Sequence, residues 1–150
     1  MNRVEINNTY LSSPELGKDL PQKCRKILQA LDKNDWEISL LLTDDKTIRQ
    51  LNKEYRNIDR ATDVLSFSQL EGSSFPDKKK GNPLIAGDIV ISIDTLKQNS
   101  LRWKVPLKQE LLRVLVHGIL HLSGMDHNED DPDDAMLSLQ EKILDQIGKE

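Results

Sequence analysis

At 150 residues, 37 % of them apolar and 31 % charged, the chain is long enough for one domain with a real core, expected over residues 1–150. It holds no apolar run of membrane-spanning length and no apolar signal stretch after Met1, and its one cysteine, Cys24, excludes an internal disulfide framework and fits a reducing cytoplasm. The net charge of −4 is uneven, with nine acidic and two basic side chains in residues 125–150, so the remainder is mildly basic, without the strong footprint of a tight, general nucleic-acid binder.

Arg3 to Asn7 alternates polar and apolar residues and predicts a short strand. Ser12-Ser13-Pro14-Glu15 predicts a helix start, and Leu20, Cys24, Ile27, Leu28 and Leu31 follow at helical spacing. Trp36 to Thr43, centred on Ile38-Ser39-Leu40-Leu41-Leu42, predicts a buried strand. Thr43-Asp44-Asp45 caps a helix in which Ile48, Leu51 and Tyr55 line one face. Val64-Leu65-Ser66-Phe67 predicts a strand after the polar loop Arg56 to Thr62. Gln69 to Pro83 is broken by Gly72, Pro76 and Gly81 and predicts an exposed loop beside the site. Its run Lys78-Lys79-Lys80 reads as solvated, with contact to RNA phosphates as the alternative.

Leu84 to Ile93 predicts the strongest strand, and a short helix runs from Asp94 to Trp103. Pro106 opens a helix that is apolar almost all round, from Leu111 and Leu112 to Leu120 and Leu122, which predicts a central, buried helix. Gly118 inside it costs about 1 kcal/mol relative to alanine, and implies close approach of another backbone, of substrate, or tight helix packing. Asp131-Pro132 starts a last helix with the stripe Met136, Leu139, Ile143 and Ile147. Mixed strands and helices without strict alternation predict an α+β fold with a small sheet.

All three histidines fall between His117 and His127. Neutral imidazole is the commonest ligand for zinc and similar metals. Residues four apart share a helix face, so His117 and His121 can grip one ion together. Gly124 can end the helix in a left-handed conformation and turn the chain back. His127 then arrives as a third ligand. Three protein ligands with one open position is the layout of a catalytic zinc site. Asp126 is placed either to orient a histidine, to shape the turn, or to close the site as a fourth ligand. The spacing follows the metzincin pattern, except that Gly118 stands where a protease carries its glutamate base.

The segment His117-Gly118-Ile119-Leu120-His121-Leu122-Ser123-Gly124-Met125-Asp126-His127 resembles the signature of the YbeY family of bacterial endoribonucleases. Leu51-Asn52-Lys53-Glu54-Tyr55-Arg56, Thr62-Asp63-Val64-Leu65-Ser66-Phe67 and Gly87-Asp88-Ile89-Val90-Ile91-Ser92 match as well, and so does the tail from Met136 to Leu144. The N-terminal third matches only in general pattern. Ser68 stands where the family often has proline, and Ala86 where leucine is usual.

The resemblance implies a compact, zincin-like α+β domain with a small mixed sheet flanked by helices and a central, buried metal-binding helix. It implies a zinc-dependent, single-strand-specific endoribonuclease with one zinc ion per chain. Such an enzyme acts in rRNA 3′-end processing of the small subunit and in ribosome quality control. Its partners would be rRNA and ribosomal particles, with no membrane and no organic cofactor. Arg56 is implied as the functional arginine near the metal. Chemistry supports that role, because a guanidinium is always charged and binds phosphate in a bidentate fork; the plain alternative is a surface loop arginine. Asp88 is either an orienting residue or a structural one. Two other readings stay open: a metallopeptidase or other amide hydrolase with a carboxylate base from elsewhere, and a non-catalytic metal-binding protein of ribosome assembly.

Overall fold

The computed structural model describes residues 2–10, 13–69, 84–125 and 135–148. They form a mixed α+β architecture around a four-stranded sheet. β1 (Arg3–Asn8), β2 (Trp36–Thr43) and β4 (Leu84–Ser92) are parallel, and β3 (Val64–Ser68) runs antiparallel to β4. The order β1-β2-β4-β3 leaves β3 on an edge.

Side chains alternate across a strand, so each strand serves two layers. Ile38, Leu40 and Leu42 of β2 and Ile89 and Ile91 of β4 enter the large core. There they meet α1 (Leu20–Ala30), α4 (Leu107–Leu122) and α5 (Ala135–Gly148), with Ile93 and Leu96 of α3 (Ile93–Trp103). Leu41, Leu65 and Val90 point the other way, onto Ile48 and Leu51 of α2 (Asp45–Arg56). Each fully buried Leu or Ile contributes about 1.5–3 kcal/mol relative to an exposed one.

Five of the strand and helix expectations hold to within a residue or two: β1, β2, β3, β4 and α3. The expected cap of α2 is made by Asp44, whose side chain accepts from Thr47 N–H at 2.9 Å. α4 is the buried helix expected, with Val114, Leu115, Val116, Ile119 and Leu120 inaccessible. Cys24 is in the core, where burial pushes its thiol up to about 12 and keeps it protonated.

Two expectations are corrected. The Ser12-Ser13-Pro14 start opens only a 3-10 turn, Pro14–Gly17, and α1 begins afresh at Leu20. A helix running through both would need an N–H from Pro21 to the Gly17 carbonyl, and the proline ring would clash there. The inward stripe of α2 also ends early. Ile48 is buried, but Tyr55 is 66 % exposed and meets the edge strand ring to ring with Phe67.

Gln69 to Pro83 falls, beyond Gln69, outside the described residues, as do Asp126, His127 and the expected helix start at Asp131-Pro132. No described helix is long and apolar enough to cross a membrane.

Candidate active site

α4 is packed against β3 and β4, and its middle turn lies so close to the sheet that even a methyl at residue 118 would press on its neighbours. A Cβ on Gly118 would stand 3.1 Å from Cγ2 of Ile89 and 3.3 Å from Oγ of Ser66. Of the three explanations open for this glycine, tight helix-on-sheet packing is the one observed. Ser66 Oγ also donates to the Gly118 carbonyl at 3.3 Å.

His117 and His121 project from the same face of α4, both half-buried. Their Nε2 atoms are 3.1 Å apart, with the rings inclined at 75°. Two facing ring nitrogens this close share either one proton or one cation. Two nitrogens bound tetrahedrally at about 2.0–2.1 Å to one zinc ion stand about 3.3 Å apart, so the pair fits a metal.

The tautomer follows from α5. Gln140, only 3 % exposed, presents Oε1 to His117 Nδ1 at 2.8 Å. A carbonyl oxygen only accepts, so Nδ1 carries the proton and Nε2 keeps its lone pair for an electrophile. Histidine ligands are commonly oriented this way through their second nitrogen.

The chain leaves α4 through a tight reversal. Gly124 has φ +95, its N–H donates to the His121 carbonyl at 3.0 Å, and Met125 N–H donates to that of Leu120 at 3.1 Å. This is the paired-bond ending that needs a left-handed residue. It turns the chain back just before His127, which lies outside the described residues. Among the described residues no group of three or more His, Cys, Asp or Glu side chains is placed to hold an ion.

Arg56 is the last residue of α2. Asn57 stops the helix in the left-handed conformation, φ 61, and buried Asn52 fixes the following loop by donating to the Arg60 carbonyl at 2.9 Å. From there the Arg56 guanidinium reaches the edge strand, donating to the Ser66 carbonyl at 2.6 Å. Its carbon lies 5.6 Å from the Phe67 ring centre. Arg56, Ser66, Phe67, His117 and His121 line one cleft of about 530 Å³. The fold thus brings three of the four sequence-derived site residues together. Asp88 does not join them. It pairs with Phe67 in register, so it faces the α2 side, whereas its neighbour Ile89 faces α4.

Arg113, one turn before His117, bridges to Asp63 at 3.1 Å and to Glu110. Burial works against its charge, but Glu110 and then Asp63 outweigh this and hold its pKa above the usual arginine value. The network ties α4 to the residue before β3. Glu110 Oε2 is buried without a hydrogen-bond partner among the described residues. Sequence reading missed Gln140 and Glu110 alike. A polar residue in the position four after Met136 was the available signal for Gln140, and the i,i+3 pairing with Arg113 for Glu110. A larger groove of about 1380 Å³ runs between α1, α4 and α5, and its described lining residues include no histidine.

A helix that pairs two histidines beneath an edge strand, with an arginine at the cleft's rim, defines a candidate metal-centred site in a small α+β protein. The family model described as Endoribonuclease YbeY matches residues 5–148, and the chain belongs to that family. Endoribonuclease YbeY of Treponema denticola is 48 % identical over 79 % of this chain and 76 % of its own. Those of Treponema pallidum and of a Sulfurihydrogenibium species are 40 % and 41 % identical, over 96 % and 97 % of this chain and 89 % and 93 % of theirs. A Thermotoga maritima protein with a solution structure superposes with a TM-score of 0.65 at 27 % identity, covering 99 % of this chain and 90 % of that one.

Proposed function

We propose that the chain is a zinc-dependent endoribonuclease that cuts single-stranded RNA. Its place is rRNA 3′-end processing of the small subunit and ribosome quality control in the cytoplasm, with rRNA and ribosomal particles as partners. The observation that carries this reading is the convergence of His117, His121 and Arg56 on one cleft, in a chain whose relatives bear the name endoribonuclease. The fold is read as one compact, zincin-like domain over residues 1–150, with its metal-binding helix beneath an edge strand.

His117, His121 and, by its spacing, His127 would hold one zinc ion as neutral imidazoles. When bound, such an ion lowers the pKa of a water and polarises a phosphoryl oxygen. Gln140 keeps the lone pair of His117 directed at that point. Arg56 neutralises charge on the non-bridging oxygens of the scissile phosphate. Its bond to the Ser66 carbonyl occupies one donor and leaves the rest of the fork for phosphate. Gly118 supplies no carboxylate. Among the described lining residues Asp63 is the one acid in the cleft, and it is engaged by Arg113. Among the described residues the cleft thus offers no free carboxylate base of the kind a peptidase needs, whereas phosphodiester cleavage can proceed on charge neutralisation and an activated water.

The test uses a labelled rRNA precursor fragment, with casein as control, and protein as purified, stripped by chelator and reloaded with zinc. About one zinc per chain is expected by elemental analysis, with loss in each of His117→Ala, His121→Ala and His127→Ala. RNA cleavage should vanish on stripping and return on reloading. Casein cleavage, or RNA cleavage by protein shown to be metal-free, overturns the reading. Zinc and RNA binding without cleavage would instead establish the assembly-protein alternative.

A further inference from the structure

The edge strand β3 has the histidines on one side and an aromatic pair on the other. Ser66 faces α4, where its hydroxyl meets the Gly118 carbonyl. Phe67, next in the strand, therefore faces the α2 side. There it meets Tyr55 edge-on, with ring centres 5.4 Å apart. Tyr55 is the most exposed aromatic ring among the described residues, at 66 %. Arg56 spans the two sides, rooted in α2 and bonded to the Ser66 carbonyl.

A second groove, of about 560 Å³, opens on the α2 side. It is lined by Asn7, Ser39, Leu51, Tyr55, Phe67 and Asp88, among others. Phe67 thus borders both this groove and the histidine cleft, and Arg56 crosses the strand edge between them. The second groove has no basic lining residue among those described, and Glu5 and Asp88 belong to its wall. A phosphate would be repelled there. A nucleobase is neutral, has a flat apolar face for an aromatic ring, and carries amino groups that a carboxylate or amide oxygen can accept.

We propose that this groove is a nucleobase subsite: with a phosphate at Arg56, the neighbouring base of an RNA strand crosses the edge of β3 and stacks on Tyr55, its polar edge toward Asp88 on the adjacent strand. The proposal rests on the endoribonuclease reading and deepens it. It also gives that reading a physical source of strand selectivity. A base inside a duplex is stacked and paired, and cannot drop to the far side of a protein strand without being unstacked. A single strand has such bases free.

The test measures binding of a fluorescent, unstructured oligoribonucleotide to metal-stripped full-length protein by anisotropy, so that cleavage does not intervene. Tyr55→Ala and Tyr55→Leu should weaken binding about tenfold, the scale of one lost base–aromatic stack. Tyr55→Phe and Tyr55→Trp should stay near wild type, because stacking needs only a flat ring. An abasic site, scanned along the oligonucleotide, should at one position weaken the wild type by about the same factor and leave Tyr55→Ala unaffected. Tyr55→Ala should also lose part of the wild-type preference for single-stranded over duplex RNA. Wild-type affinity in the Ala and Leu variants overturns the subsite, and so does an abasic penalty that is equal in wild type and variant. If wild-type protein binds and cleaves RNA while the variants match it, only the subsite falls. If the wild type neither binds nor cleaves RNA, the endoribonuclease reading falls and the subsite with it.

Discussion

Gln140→Leu isolates the hydrogen bond by which α5 reaches His117. Leucine keeps nearly the same volume and fits the stripe of Met136, Ile143 and Ile147, so α5 should still dock. What is lost is the acceptor 2.8 Å from His117 Nδ1, at a position 3 % exposed, where little water can substitute. A donor left unpaired in such a place costs about 1–3 kcal/mol. The imidazole can escape that cost by rotating or by shifting its proton to Nε2, and either move withdraws the lone pair from the ion. Loss of an orienting partner of this kind typically weakens metal affinity about 10–100-fold. The assay is zinc competition against a chelator of known affinity, read beside thermal unfolding with and without zinc. The variant should unfold nearly as the wild type without metal and gain less from it, since stabilisation follows the logarithm of ligand over Kd. Nitrogen NMR of the metal-free protein should find His117 protonated at Nδ1 in the wild type and redistributed in the variant. Gln140→Glu, a stronger acceptor, should hold zinc at least as tightly as wild type. If Gln140→Leu binds zinc like the wild type and keeps the proton on Nδ1, the orienting role assigned to Gln140 is refuted.

Arg56→Ala should leave zinc content and melting unchanged, because the side chain is exposed, while RNA cleavage falls by on the order of a hundredfold; Arg56→Lys should recover only part of this, and wild-type cleavage by the Ala variant would return Arg56 to an ordinary surface residue. Gly118→Ala places a methyl 3.1 Å from Ile89, an overpacking cost of about 1–3 kcal/mol set against about 1 kcal/mol of recovered helix propensity, so denaturant unfolding should show a net loss of up to about 2 kcal/mol; Gly118→Glu should fail to fold rather than acquire peptidase activity, and a stable, soluble Glu variant would contradict the packing argument. Asp44→Ala removes the cap of α2 and should cost about 1 kcal/mol at neutral pH. Bonds from Thr47 hold the Asp44 carboxyl below its ordinary pKa, so its contribution is full above about pH 4 and is lost as pH falls through the lowered value. Urea titrations at several pH values should therefore show wild type and variant converging in acid, and a gap independent of pH would be evidence against the cap.

The parts of the fold legible in the sequence are those fixed by period. β2 and β4 carry apolar runs bounded by turns, and α4 is apolar on nearly all sides, so their burial could be read without knowing their neighbours. Period fails where the outcome depends on what lies opposite. Leu51 and Tyr55 continue the stripe of Ile48, yet the edge of the sheet falls beneath the last turn of α2, and no local pattern says where a sheet ends. The Ser12-Ser13-Pro14 signal marks a start, but of a 3-10 turn and not of α1, because Pro21 has no N–H for the Gly17 carbonyl. Asp88 could not be assigned to a face until its pairing with Phe67 was known. Of the site, the histidine spacing was fully visible because an i,i+4 pair is a local fact. The acceptor behind His117 was not, since Gln140 reaches it only through the docking of α5 on α4.

The arrangement around β3 explains why the site is divided among distant parts of the chain. Residue 66 does two things at once: its side chain meets the backbone of α4 at Gly118, and its own carbonyl receives Arg56 from α2. An edge strand is suited to this, because half of its backbone groups have no neighbouring strand to bond and are free to hold something else. Arg56 takes up one such carbonyl and so blunts the edge against pairing with another chain. The same bond fixes the height of the guanidinium relative to the helix beneath. The absence of a side chain at Gly118 then sets how closely that helix, and the two imidazoles one residue before and three after, can approach the strand. The two imidazoles and the guanidinium are therefore measured from one strand, and a shift of β3 would move both together rather than pull them apart.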